Sequence, residues 1–177
     1  MDPSGLASLV NTDERTGACD IACIQEVSNS WRALVAEDRF TWQGGSFTVS
    51  IALFGAYVQA SVTVVGQSQD GSKGILAAVG AGGTTSVFGP AFTAAPMISN
   101  ARTVSDYEGV FGHMGVCAGA VALACVEDQR GQAHDGKSIE VISPGGGMGL
   151  QPSWAVVPIP AEFHGLASNT WTLLQWR

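Results

Sequence analysis

The alternation of apolar and polar residues is most regular over Ser46 to Val65, SFTVSIALFGAYVQASVTVV, and within that stretch it changes phase. Phe47, Val49, Ile51 and Leu53 stand at odd positions with Thr48 and Ser50 between them. Beyond Gly55 the apolar set moves to even positions, Val58, Ala60, Val62 and Val64, separated by Gln59, Ser61 and Thr63. Period two is the mark of a strand, whose successive side chains point to opposite faces. A slip of one residue turns an inward row outward unless a bulge or bend resets it, and glycine suits such a bend. A straight strand of this length reaches ~65 Å, too long for one domain of this size. The stretch therefore predicts a long strand bent at Gly55, or two strands meeting at a corner of a closed sheet, with Phe47 and Val64 sharing the interior.

The same reading places short elements along the rest of the chain. Asp20 caps an amphipathic helix to about Glu37, with Ile21, Ile24, Val27, Trp31, Leu34 and Val35 on one face. Asp70-Gly71 and Asp135-Gly136 mark hairpin loops, and Ile75 to Val79 and Ser138 to Ile142 read as strands. Phe92 to Ala101, which carries Pro96, reads as a loop or a helical turn, and Thr103 to Phe111 as a strand. Met114 to Val126 reads as one strand rich in small residues, although Gly115 and Gly119 also suit a close-packed helix. Ala155 to Ile159 and Thr170 to Trp176 complete a set of about eight strands. The expected fold is all-β with one N-terminal helix: a small antiparallel β-barrel over residues 46–177, preceded by an arm and a lid or plug helix in residues 1–45.

Charge narrows the choice of partners. Only 13% of the 177 residues are charged, about half the usual share, and the formal net charge is -7. No basic run exists to neutralise phosphates, so nucleic acid is excluded, as is simple electrostatic docking on an anionic membrane. Apolar insertion into a membrane remains open. The longest uncharged apolar run, Met114 to Val126, is too short for a transmembrane helix, and the opening residues carry no signal-peptide pattern, which predicts a cytoplasmic protein. So uncharged a surface also fits a homo-oligomer or a protein-binding module.

Candidate chemistry is sparse. No GxSxG, P-loop, HExxH or CxxC motif is present, and no cofactor is implied. Cys19 and Cys23 have helical spacing; Cys117 and Cys125 lie on one face of the expected single strand, too far apart there for a disulfide. Four buried thiols are expected, and no metal site. Arg102, Asp106, Tyr107, Glu108 and His113 gather just before the most apolar stretch, where acid-base groups are readily perturbed. Tyr57 and Gln59 lie on the polar row of the central strand. These point to Tyr57, Gln59 and His113 as catalytic groups polarising a carbonyl, with Trp31, Trp42, Tyr107, Met114 and Trp154 lining a substrate pocket.

The order of features also resembles the barrel domain of the actinobacterial virulence-associated (Vap) proteins. The resemblance rests on the strand ending at Val65-Gly66, the loop Gly71 to Gly74, and Gly82-Gly83. It continues through Val126-Glu127-Asp128, the loop to Gly136, and Gly145-Gly146-Gly147-Met148-Gly149 with Trp154 after it. It implies a compact eight-stranded barrel with a small helix, secreted, acting on host membranes without a catalytic site. The chain departs from the pattern in its missing secretion signal, its N-terminal helix and some twenty residues after Trp154.

Two functional expectations follow. One is a barrel that encloses an apolar small molecule and works as a cofactor-independent cyclase or isomerase of a natural-product-like intermediate, which needs a cavity of about 300 Å³ or more. The other is a non-enzymatic, Vap-like protein that acts on membranes.

Overall fold

The computed structural model describes residues 29, 40–67, 71–85, 88–118, 122–149 and 161–177, and in it the phase change is a hairpin. Strands β1 (Trp42–Leu53) and β2 (Ala56–Gln67) are antiparallel and joined by Phe54 and Gly55 alone, with φ of 48° and 87°. Two left-handed residues make the tight turn whose twist suits flanking strands. Such a turn pairs Leu53 with Ala56, so every odd residue of β1 faces an even residue of β2, Phe47 opposite Val62 and Val49 opposite Ala60. The parity change belongs to the turn and not to a bend within one strand.

Six further strands follow: β3 (Lys73–Thr84), β4 (Phe88–Ser99), β5 (Gly109–Ala118), β6 (Ala122–Gln132), β7 (Ser138–Gly149) and β8 (Ala161–Trp176). They close into an antiparallel barrel in the order β1-β2-β3-β8-β5-β6-β7-β4. The expected eight-stranded antiparallel barrel is therefore the fold, beginning at Trp42 and not at Ser46. The expected N-terminal helix with Trp31, and the segment holding Trp154 and Ala155 to Ile159, lie outside the described residues.

Three local expectations are corrected. Met114 to Val126 is not one strand: its two ends belong to β5 and β6, which pair with Cys117 directly opposite Cys125. Phe92 to Ser99 lies within β4, where Pro96 falls in a lapse of the β4–β7 ladder between the Ala94/Gly146 and Ile98/Ile142 pairs, so no bond is lost to its missing N–H there. Thr103 to Tyr107 is not strand; Val104–Tyr107 form one 3-10 turn, held by Asp106, which accepts from the backbone N–H of Arg102 and Thr103.

Following paired residues around the wall from Leu53, through Ala56, Gly83, Gly165, Met114, Asp128, Ile142 and Ile98, returns to β1 at Gln43, ten residues away. That stagger implies a strand tilt of roughly 40° and a wall ~30 Å tall for strands of this length.

The row that faces inward is the polar one, which reverses the sequence expectation. On β1 the buried residues are Trp42, Thr48, Ser50 and Ala52, while Phe47 is 54% exposed; on β2, Tyr57, Gln59 and Val65 are buried and Val64 is 50% exposed. Phe47 and Val64 share the outside of the wall. An eight-stranded barrel is only wide enough to be filled by side chains. Here small and large inward residues alternate between strands, Gly80 making room for Leu166, Gly115 for His164 and Gly131 for Phe111. One end is sealed by an apolar plug in which Val104 and Tyr107 pack among Trp42, Val65, Leu76, Met97, Phe111 and Ile139. Trp42 and Tyr107 meet edge to face at 5.9 Å.

Candidate functional site

Above the plug, at mid-height, the inward rows of β2, β5, β6 and β8 converge on a polar cluster. The Nδ1 of His113 lies 2.6 Å from Oε1 of Glu127, and its Nε2 lies 2.5 Å from Oγ of Ser168. Nδ1–H donates to the carboxylate, which leaves Nε2 to accept from the serine hydroxyl. Gln59 joins them by hydrogen-bonding Glu127, its amide nitrogen lying 3.3 Å from Nδ1 of His113. Nearer the Phe54 end, Tyr57 stacks on His164, ring centroids 4.7 Å apart at 12°, and Tyr57 also hydrogen-bonds Ser50.

Electrostatics follow from this packing. Burial by itself raises the Glu127 carboxyl, but the hydrogen bonds from His113 and Gln59 and the electrostatic pull of the His113 and His164 rings outweigh it and hold the group below its ordinary value. Burial pushes the Tyr57 hydroxyl up to about 12, offset in part by Ser50. Burial lowers His164, against the pull of Glu127 and Glu162.

Two of the three expected catalytic residues, Gln59 and His113, thus meet in one cluster, with Tyr57 above them. The sequence reading missed Glu127, Ser168 and His164. Glu127 shares an alternating row with Cys125 and Gln129 of β6, and His164 and Ser168 share one with Leu166 of β8, so period two across Glu162 to Thr170 held the signal.

Serine, imidazole and carboxylate in this order form the hydrogen-bonded relay that activates a nucleophile. The surroundings do not let it work as one. Ser168 and His113 are 3% and 4% exposed. β8 is laddered on both sides at Ser168, to Gly80 and to Phe111, so no free backbone N–H is poised to stabilise an oxyanion there. The interior cavity beside Gln59, lined by Thr48, Ser61, Thr63, Gln129 and Ser143 among others, has a volume of about 30 Å³. That is room for one or two waters, a tenth of what the enclosed-substrate reading requires. His113, Glu127, Ser168 and Gln59 form a hydrogen-bonded polar pin through the barrel, and Nδ1 of the neighbouring His164 is buried without a protein partner.

The expected pocket residues do not assemble either. Trp42 and Tyr107 belong to the plug, whereas Met114 is 71% exposed and lines an open outer groove of about 560 Å³ with Val116, Val126 and Phe163. Trp31 and Trp154 lie outside the described residues. Nor are Cys117 and Cys125 free thiols: facing each other across β5 and β6 with Cα atoms 4.1 Å apart, they form a disulfide on the inward rows.

The outer wall is the other candidate site. On the half that carries the Phe54–Gly55 turn it presents Val49, Ile51, Leu53, Val58, Phe92, Met114, Met148 and Phe163 to solvent. The charged outward residues of the described wall, Asp128, Arg130, Glu140 and Lys73, lie from mid-height toward the other end, Asp128 directly opposite Met114 in the same groove, and that end also exposes Val62, Val64, Val79, Val110, Trp171, Leu173 and Leu174. At the rim near Phe54, Glu162 sits on an inward row and accepts from the Thr84 hydroxyl. Among the described residues no helix is long and apolar enough to cross a membrane, which leaves open what the strands do. Comparison with family models, with curated proteins and with solved structures finds no match.

Proposed function

We propose that this protein is a non-enzymatic barrel that docks on lipid membranes through the uncharged half of its outer wall. The observation that carries the reading is the inverted polarity: hydrogen-bonding side chains fill the interior, and large apolar side chains ring the outside. A closed barrel has no unpaired strand edge, so its backbone tolerates an apolar medium. Apolar wall residues occur on β1, β2, β4, β5, β7 and β8, around most of the circumference. A protein partner covers one side of a cylinder, whereas lipid covers all of it. The membrane-acting role that the Vap resemblance implies agrees with this proposal and extends it to a virulence-associated function. The Cys117–Cys125 disulfide suits an oxidising compartment and weighs against a cytoplasmic location.

The test is flotation of the full chain with vesicles of zwitterionic lipid. Binding is expected to be unaffected by raising the salt from low to molar concentrations, because no charge pairing drives it. Failure to float at millimolar lipid overturns the reading.

A further inference from the structure

One polar atom of the outer wall lacks what its burial demands. Asp128 is outward on β6, directly opposite Met114, and lines the outer groove of about 560 Å³ together with Met114, Val116, Val126 and Phe163. Its Oδ2 accepts from Nε of Arg130 at 3.0 Å, whereas Oδ1 is buried and has no hydrogen-bond partner. A buried acceptor left unmade is destabilising, so folding alone gives no reason to keep it. A donor brought by a ligand does. Met114, the cross-strand neighbour, is unbranched and turns aside readily to admit one.

Arg130 offers the second contact. It stands two residues further along the same outward row, ~7 Å from Asp128. Its partner on β5 is Gly112, which has no side chain to cover it, and the arginine side chain is 59% exposed. With Val110, Gln132 and Ser138 it lines a further outer groove of about 550 Å³. Along β6 the wall thus presents an apolar groove, then an acceptor that lacks its N–H or O–H donor, then a cation open to an anion.

We infer that this face of β5 and β6 binds a phospholipid of the sphingoid type. The inference rests on the membrane-docking reading and adds the class of lipid that the wall selects. A sphingoid phospholipid carries its parts in the same order: hydrocarbon chains, an amide N–H and a hydroxyl at the chain root, then a phosphate. One chain lies in the Met114 groove, whose volume falls within the range of small-molecule sites. The N–H or hydroxyl donates to Oδ1 of Asp128, and the phosphate meets Arg130. A diacylglycerol phospholipid has esters at its chain root, which only accept, so it leaves Oδ1 unpaired.

Flotation of the full chain on fluid vesicles of unsaturated phosphatidylcholine, with and without sphingomyelin of the same unsaturated chain, tests this. The two lipids share a headgroup and differ at the chain root. Binding should be about fivefold or more tighter to the vesicles that contain sphingomyelin. Asp128→Leu should bring the two affinities to within about twofold while keeping the binding to phosphatidylcholine, which neither misfolding nor a difference in vesicle packing produces. Met114→Trp, which fills the groove and leaves the carboxylate in place, should abolish the preference as well, and it decides alone if Asp128→Leu does not fold. If the parent protein floats equally on both vesicles, or if either folded variant keeps the preference, the site is wrong and membrane docking stands. If the parent floats on neither, the docking reading fails and this site falls with it.

Discussion

Replacing His113 by leucine tests whether the interior cluster is a structural pin. His113 is the partner that holds the Glu127 carboxylate below its ordinary pKa, and it also receives the Ser168 hydroxyl. Removing it leaves a nearly buried carboxylate with the Gln59 amide, and breaking a buried pair from one side costs about 3–5 kcal/mol. Ser168→Ala removes one hydrogen bond and leaves the His113–Glu127 hydrogen bond in place, at about 1–2 kcal/mol. In a chain of this length each kcal/mol shifts the unfolding midpoint by about 2–4 °C, so His113→Leu should melt roughly 6–20 °C lower and Ser168→Ala roughly 2–8 °C lower. The combination His113→Leu with Glu127→Leu removes the buried carboxylate together with its partner and should recover about 1–4 kcal/mol relative to His113→Leu alone. Urea unfolding at pH 7 without reductant, followed by tryptophan fluorescence, measures all three. The reasoning fails if His113→Leu costs no more than Ser168→Ala, or if the double replacement is less stable than His113→Leu.

Acid should destabilise the barrel in two stages. His164 has a lowered folded value, so its contribution is complete above its ordinary value near 6.5 and is lost as pH falls from there toward the folded value; His164→Phe, which keeps the stack on Tyr57, should abolish this stage in a pH series of melting curves. Glu127 is lowered from the carboxylate range, so its contribution is lost only at more acid pH, as its folded value is passed, and Glu127→Gln should remove that second stage. Gly82→Ala places a methyl group against the backbone of Gly165 and Leu166 and should cost about 3 kcal/mol or more, whereas Gly146→Ala, in ordinary contact with the Leu123 carbonyl, should stay within about 1 kcal/mol by chemical denaturation. Replacing Cys117 and Cys125 together by alanine should cost roughly 2–3 kcal/mol in the same assay and remove the difference between reducing and non-reducing conditions.

Strand number and barrel closure were legible because turn residues fall between short alternating runs and the central pattern changes parity. The mistake about the parity change came from its turn. Phe54-Gly55 lacks the Asn-Gly signature, so a hairpin read as a bend, and the same error joined β5 to β6 across Gly119. That second fusion put Cys117 and Cys125 eight residues apart along one strand and made their disulfide look impossible; across a hairpin they are nearest neighbours. The inward face was not legible at all from β1, since alternation is symmetric between its two rows. Only closure, with a small interior that serine, threonine and glutamine can fill and satisfy, decides which row turns in. Gln59 and His113 were found because each is polar within an otherwise apolar neighbourhood. Ser168 and His164 were missed because the strand that holds them was expected to begin only at Thr170.

The polarity of this chain is sorted in two directions, and each sorting constrains what the other can mean. Radial sorting, polar inside and apolar outside, fits any environment that replaces water around the wall, including a packed assembly of identical barrels. Axial sorting, with outward charges gathered toward one end, fits any protein with a single working end. An assembly that buries the wall gives no reason for the outward charges to gather toward one end, and a working end alone gives no reason for Val49, Val58, Met114 and Phe163 to face outward around the barrel. A water–lipid boundary has one normal and is isotropic around it, so it requires both sortings at once.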